Sequence, residues 1–574
     1  MFILSLNAYH GDASAAIFKN GELIAATEEE RIRRVKHWAG LPVEAARFCL
    51  QEAGISLDEV DFITVSRDPK AKFLEKIIYA LKSGTAFGAL RSRAANSLKI
   101  RSITQDLAAA LNNSKSSKSS PTHFIEHHRS HLASAFFVSP FEEAALLSVD
   151  GFGDFSSTMR AVGRGNRIEV LDSVSYPHSL GIFYTAFTQY LGFPHYGDEY
   201  KVMGLAPYGK PSLVEQVRET IFLKKNGLFE LSPRYFRHFR EGVNMSWEGG
   251  APHIEPLFSN EFVKKFGAAR QKDEPLDDHH RDLAASVQKV CEEVIFHLAN
   301  DLQHRTGLKA LCLAGGVAQN SVANGKIVQN TSFERLFVPP AGHDAGTAVG
   351  AGLYFYHQML GNPRSPFRHQ AYTGAQFSNE QIEACLRSRN IAFERLDDAQ
   401  LFDAATDCLL GGGVVGWFQG RAEFGPRALG NRSILADPRR ADAKDLLNAK
   451  IKRRESFRPF APSILREFAA EYFEQEDSVP FMEKVFLIKP EKRLSIPAVT
   501  HVDGTGRLQT VEQQDNPRYH ALIHRFFEKT GVPILLNTSF NENEPIVNTP
   551  EHALECFLRT KMDMLVLENW VVRR

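Results

Sequence analysis

Twice in this chain a buried apolar strand runs directly into glycine. "ALLSVD" (145–150) leads into "GFGDF", and "KALCLAGG" (309–316) leads into "VAQNSVANGKI", a glycine turn that opens a helix. Short apolar strands followed by glycine turns and helical runs specify an α/β architecture, in which ligands collect at strand ends. Glycine lets backbone amides approach a phosphate closely, and the N-terminus of the next helix favours the same anion. Tight βα turns need glycine for steric reasons as well, so the pattern constrains the fold more than the ligand. Asp150 closes the first of these strands, and Asp344 in "AGHDAGTAVGAGLYFY" stands just ahead of a small-residue helix.

The N-terminus reads as a β-meander: "MFILSLN", "ASAAIFK" and "ELIAATE" are strands, with "NG" a type I′ turn between the last two. Its first turn carries His10, Gly11, Asp12 and Ser14, where a ligand can lie against backbone amides. "DFITVS" (61–66) resumes the sheet. Residues 70–101 hold eight Lys/Arg against one acidic residue and read as a solvated helical face. "NNSKSSKSS" (112–120) can bury almost nothing and is expected to be a mobile surface loop. The composition breaks at "GNPRSPFRH" (361–369), which is read as a linker between a unit over 1–360 and a second α/β unit over 370–574.

The 574 residues carry 68 Lys+Arg and 68 Asp+Glu, so no global field draws the chain to nucleic acid or to an anionic membrane. Any anion must be met by a local cluster. One exists: residues 421–466 contain 12 Lys/Arg and five Asp/Glu, with Arg427, Arg432, Lys452, Arg454 and Arg458 set among glycines, prolines and aromatics. That setting suits bidentate recognition of phosphate or carboxylate. The six cysteines are widely spaced, with no Cys-x-x-Cys pair, and read as reduced thiols. No segment approaches the ~18 apolar residues of a membrane span, and a cytoplasmic protein is expected.

"HHRSH" (127–131) places three imidazoles in five residues where an extended run gives way to a helical one. On a helix His127 and His131 lie on one face, at a spacing that lets both bind one metal ion. Among 21 histidines such clusters also arise with half-buried rings that carry ordinary hydrogen bonds, so the spacing alone leaves both readings open. Two further ligands would have to come from elsewhere.

Taken together, "HGDASAA", "TEEERIRRVKH", "HHRSHLASAFF", "SVDG", "SLGIFYTAFTQYLGF", "YKVMGLAPYG", "AGGVAQN", "PRALGNRS", "RPFAPSIL" and "LLNTSFNENEPIV" resemble the NodU/CmcH family of O-carbamoyltransferases over almost the whole chain. The resemblance implies a duplicated N-terminal domain of the ASKHA type (actin- and sugar-kinase-like, similar to the TsaD threonylcarbamoyl-transferases of tRNA modification) and a C-terminal YrdC-like α/β domain. It implies that the C-terminal domain converts carbamoyl phosphate and ATP, with Mg2+, to carbamoyladenylate. The N-terminal domain then passes the carbamoyl group to a hydroxyl of a small molecule, the labile intermediate staying inside the protein.

By the same resemblance the metal ligands are His127, His131, Asp150 and Asp344, holding a divalent ion expected to be Fe(II), although zinc or manganese would suit the donors. Gly151, Gly315, Gly316 and Asn320 are expected against the nucleotide. Arg427, Lys452, Arg454, Arg458 and Arg507, with Ser539 and Asn541, are expected to bind carbamoyl phosphate and ATP. His10 and Asp12 are both candidates for the base that takes the acceptor's proton, and Lys36 is placed near the anionic intermediate. His128 is expected to be structural. The partner is a small-molecule hydroxyl compound, not nucleic acid or membrane, and a homodimer is compatible with the sequence. Two other readings are an ASKHA-fold small-molecule kinase and a non-catalytic component of a tRNA threonylcarbamoylation complex.

Overall fold

Three short, largely buried apolar strands joined by tight turns build a meander at the N-terminus. β1 (Phe2–Asn7), β2 (Ser14–Lys19) and β3 (Glu22–Glu28) pair antiparallel, and Asn20 and Gly21 both take positive φ, as a type I′ turn requires. β4 (Phe62–Val65) and β5 (Thr122–Phe124) extend the sheet in parallel, giving the order β3-β2-β1-β4-β5. The structure is a computed structural model that describes residues 1–83, 102–111, 120–364 and 371–574.

The same plan then recurs. β6 (Glu143–Gly153), β7 (Ser156–Arg164) and β8 (Arg167–Ser175) form a second antiparallel meander. β9 (Ala310–Ala314) and β10 (Arg335–Phe337) add to it in parallel, in the order β8-β7-β6-β9-β10. Strand order and pairing sense match those of the first sheet, so this unit is the duplicated ASKHA-type fold. β6 does not end at Asp150 as the sequence suggested. It runs on to Gly153, and its pairing with β7 lapses between Val149 and Gly153, which leaves Asp150, Gly151 and Phe152 outside the ladder.

Helices covering these sheets include α1 (Val43–Ala53), α2 (His127–Phe136), α3 (Leu180–Tyr190), α4 (Asp278–Thr306), α5 (Ser321–Asn330) and α6 (Gly346–Leu353). α2 closes the first repeat yet packs on β6, β7 and β9 of the second sheet, while α6 closes the second repeat and packs on β1, β2 and β4 of the first. The two helices lie against each other along "GTAVGAGL", whose small residues permit it: a Cβ on Gly350 would overlap the Ser130 carbonyl. Ser14 Oγ donates to the Ala345 carbonyl at 2.7 Å and Thr347 Oγ1 to Ser66 Oγ at 2.8 Å, which fixes α6 on the first sheet.

Residues 1–369 form one compact unit and 370–574 another. In the second, β11 (Glu394–Arg395), β12 (Val415–Phe418), β13 (Arg432–Ala436), β14 (Ala461–Leu465), β15 (Gln509–Val511), β16 (Ile534–Ser539), β17 (Met564–Leu567) and β18 (Trp570–Arg573) make one mixed sheet. Its order is β11-β18-β17-β12-β13-β16-β14-β15. α7 (Asp398–Leu410), α8 (Pro517–Thr530) and α9 (Pro550–Arg559) pack over it. Their apolar faces bury Trp417, Tyr519 and Phe526 completely.

The helix Phe73–Ser83 exposes Phe73, Leu74, Ile77 and Ile78, so its solvent face is not purely basic, and residues 84–101 lie outside the described residues. Residues 112–119 of the low-complexity run and 365–369 of the expected linker also lie outside them. The cysteines are all free thiols, five of them buried. Among the described residues no helix is long and apolar enough to cross a membrane.

Candidate functional site

Four side chains from three different elements converge inside the first unit. The Glu126 carboxylate accepts the Arg129 N–H at 2.8 Å and starts α2, so His127 and His131 sit one turn apart with their Nε2 atoms 3.0 Å from each other. Asp150 Oδ2 lies 3.1 Å from His127 Nε2 and 3.5 Å from His131 Nε2. Asp344 Oδ1 lies 3.5 and 3.3 Å from the same two nitrogens. All four groups are buried, and their ligand atoms all fall within 4.8 Å of one another.

The surroundings hold them in place. Gly316 N–H donates to Asp150 Oδ1 at 2.7 Å and Ser179 Oγ to the Asp150 carbonyl at 3.0 Å, which turns Oδ2 toward the histidines. A Cβ on Gly153 would overlap the His127 ring, so glycine there is a packing requirement. His128 donates or accepts at Nδ1 with Ser148 Oγ at 2.8 Å, and burial keeps it well below the usual imidazole range, consistent with a structural role.

Burial alone would neutralise all four groups, but their mutual contacts prevail. His127 is held well above the ordinary imidazole value by Asp150 and Asp344 against the cost of burial. Asp344 is likewise held well below the carboxylate range, by His10 and both histidines. Yet the set is not satisfied by its own hydrogen bonds: Asp344 Oδ1 has none, and two Nε2 atoms facing each other can share only one proton. Two imidazole nitrogens and two carboxylate oxygens converging on one point fit a divalent cation.

His10 adjoins the quartet, with Nδ1 paired to Asp344 Oδ2 and Nε2 3.2 Å from the Phe152 carbonyl. Asp12 is engaged elsewhere: its Oδ1 accepts from His37 Nδ1 at 2.7 Å. Lys36 is exposed on the turn before His37. Sequence reasoning missed His37, the neighbouring His343, and Tyr196. Tyr196 covers Gly11, where a Cβ would overlap its hydroxyl, and meets His37 edge-on at 5.3 Å between ring centroids. Burial, then Asp344, Asp12 and Asp150, hold the Tyr196 hydroxyl protonated.

Of the expected nucleotide contacts, Gly151 has open space above it, with no atom within 4 Å of a Cβ position. Gly315, at φ 96°, is required by packing, because a Cβ would overlap the Val149 carbonyl of β6. Asn320 caps α5 by accepting the Ala323 N–H at 3.1 Å and pairs its amide with that of Gln288 in both directions, at 3.0 and 3.1 Å. Its side chain is committed within the protein.

In the second unit Lys452 Nζ donates to the Ser539 carbonyl (2.6 Å), the Asn541 carbonyl (2.7 Å) and Asn541 Oδ1 (2.7 Å), so the predicted Lys and Ser-x-Asn elements form one knot. Burial, then Arg454 and Arg458, push Lys452 well below the usual lysine value. Arg507 is lowered too, first by burial and then by Arg427, Arg454 and Arg458, so these four arginines share one electrostatic neighbourhood. Arg432 is corrected from an anion candidate to a core residue: it stacks 3.5 Å over Phe418 and donates to the carbonyls of Gln419, Asn431, Ala375 and Gly420.

Residues 2–353 match the family described as Carbamoyltransferase N-terminus, and residues 406–574 match Carbamoyltransferase C-terminus. This chain belongs to the carbamoyltransferase family. Its similarity to the nodulation protein NolNO of Sinorhizobium fredii is 38% identity over 99% of this chain and 80% of that protein. An uncharacterized Synechocystis protein is 42% identical over all of this chain and 96% of its own length. A 3'-hydroxymethylcephem-O-carbamoyltransferase of Amycolatopsis lactamdurans is 36% identical over 46% of this chain and 49% of that enzyme. In this carbamoyltransferase the buried quartet lies within the region matched to the N-terminal part, and the arginine cluster within the C-terminal part.

Proposed function

We propose that the protein is an O-carbamoyltransferase that uses carbamoyl phosphate and ATP and acts on a hydroxyl of a small molecule. The observation that carries this reading is the convergence of His127, His131, Asp150 and Asp344 beside His10, in a chain of this family. Activation belongs to residues 370–574. A carbamoyl carbon is a sluggish electrophile because nitrogen feeds its carbonyl, so it needs a leaving group as good as AMP. One water, carbamoyl phosphate and ATP give carbamoyladenylate, inorganic phosphate and pyrophosphate. Arg427, Arg454, Arg458 and Arg507 neutralise these anions, and Lys452 holds Ser539 and Asn541 at the nucleotide.

Transfer belongs to residues 1–360. A divalent ion, for which the family resemblance suggests Fe(II), would be held by the quartet and would supply Lewis-acid charge stabilisation. His10, whose Nδ1 is paired to Asp344, takes the acceptor's proton at Nε2 once that nitrogen turns from the Phe152 carbonyl to the acceptor hydroxyl, in the manner of an aspartate-supported general base. Asp12 is bound to His37, which makes His10 the better base. The space above Gly151 gives the substrate access beside it.

The test incubates the full chain with ATP, Mg2+, carbamoyl phosphate and a panel of hydroxylated small molecules, including a hydroxymethylcephem. Pyrophosphate and AMP should form only when carbamoyl phosphate is present, and a product should gain the mass of one carbamoyl group. ADP formation indifferent to carbamoyl phosphate would instead identify a kinase.

A further inference from the structure

The site contains a second histidine–aspartate pair that the reading above leaves without work. His37 Nδ1 donates to Asp12 Oδ1 at 2.7 Å, and the His37 backbone N–H donates to Glu30 Oε2 at 2.8 Å. Ala13 N–H donates to the Trp38 carbonyl at 2.8 Å, so the loop carrying His37 is tied to the turn carrying His10 and Asp12. With Nδ1 committed, Nε2 is the ring nitrogen left for a ligand; it lies beside Gly197, and the side chain retains 31% exposure. The chain keeps room for it: a Cβ on Gly197 would overlap His37 Nε2, and Gly197 holds φ 83°, where a side chain is disfavoured twice over. Tyr196 bridges the two pairs, touching His37 edge-on while feeling Asp344, Asp12 and Asp150.

We propose that His37, oriented by Asp12, donates from Nε2 to the phosphate of the adenylate that leaves during transfer. The inference rests on the transferase reading above. In that step the acceptor oxygen bonds to the carbamoyl carbon and its proton passes to His10. The carbon–oxygen bond to the adenylate breaks, and its electron pair goes to the phosphate oxygen. The mixed anhydride carries one negative charge on phosphorus, whereas free AMP carries close to two, so a fixed donor at this position binds the transition state better than the substrate. Burial and Lys36 oppose the charged form of the ring, while Asp12 and Glu30 favour it; the other titratable groups nearby, His343 and Glu199, are both pushed by burial toward their neutral forms.

The probes are AMP and adenosine, titrated into the full chain labelled with 15N-histidine, with His37→Asn assigning the signal. The His37 Nε2 correlation should shift saturably with AMP and stay still with adenosine. AMP release in His37→Asn should fall about 100-fold, as when a single oxyanion donor is removed, while carbamoyl phosphate-dependent pyrophosphate release persists. A His37 signal indifferent to AMP at saturation, or a variant that releases AMP at the wild-type rate, overturns the proposal. Should His37→Asn fail to fold, His37→Gln, which keeps an N–H near the Nε2 position, takes its place and should retain more AMP release than His37→Ala. A wild-type chain that forms no pyrophosphate on adding carbamoyl phosphate would overturn the transferase reading, and the AMP titration would still decide for or against His37.

Discussion

Gly316 donates its backbone N–H to Oδ1 of Asp150 at 2.7 Å, and a Cβ added to residue 316 would stand 2.7 Å from that same oxygen. A glycine expected from the sequence to serve a nucleotide therefore also aims a carboxylate. Gly316→Ala should push Asp150 off the quartet and weaken cation affinity roughly 10–100-fold, the usual cost of losing a group that orients a ligand. Thermal melts with and without added Fe(II) or Mn(II) will check this: the cation-dependent gain in Tm should shrink in the variant.

His127→Ala or Asp344→Ala should abolish AMP release while carbamoyl phosphate-dependent pyrophosphate release survives, because the quartet and the arginine cluster lie in separate units. A chelator selective for iron, with Mg2+ kept in excess, should mimic either variant. Loss of both half-reactions together would contradict the division of labour.

Lys452 satisfies three acceptors of the Ser539–Asn541 segment with one buried ammonium. Lys452→Met strands them at about 1–3 kcal/mol each, so the Tm of the 370–574 unit should fall markedly. Arg458→Ala should raise KM for carbamoyl phosphate ~10–100-fold, the value of one or two charge-assisted contacts.

Burial opposes the charged form of His37, but Asp12 and Glu30 outweigh it and raise the ring to about 9. A folded-state pKa above the unfolded value stabilises the fold fully below about 6.5, and that contribution disappears as pH climbs through about 9. Melting temperature measured from pH 6 to 10 should therefore decline on the alkaline side, and His37→Asn should flatten that decline. An unchanged slope in the variant would assign the titration to another group.

Local signals in the sequence were read correctly where the structure is local. The type I′ turn at Asn20–Gly21, the strand at 310–314 and the helix that puts His127 above His131 each follow from a few adjacent residues. Asp150 and Asp344 entered through family resemblance, since nothing in their spacing from His127 says that they meet it. Contacts between distant elements are not legible in the sequence. Asn320 pairs with Gln288 across 32 residues, Asp12 with His37 across 25, and Gly315 is constrained by a carbonyl on another strand. Arg432 misled because its setting among glycines is also that of an arginine folded into a core, where stacking and carbonyl acceptors replace a ligand.

The exchange of closing helices has a mechanical corollary. His127 and His131 ride on a helix seated against one repeat, whereas the Asp344 turn leads into a helix seated against the other and is paired to His10 of the first meander. An ion captured among them would touch both repeats at once and act as a latch, so that parting the repeats and surrendering the metal become a single event.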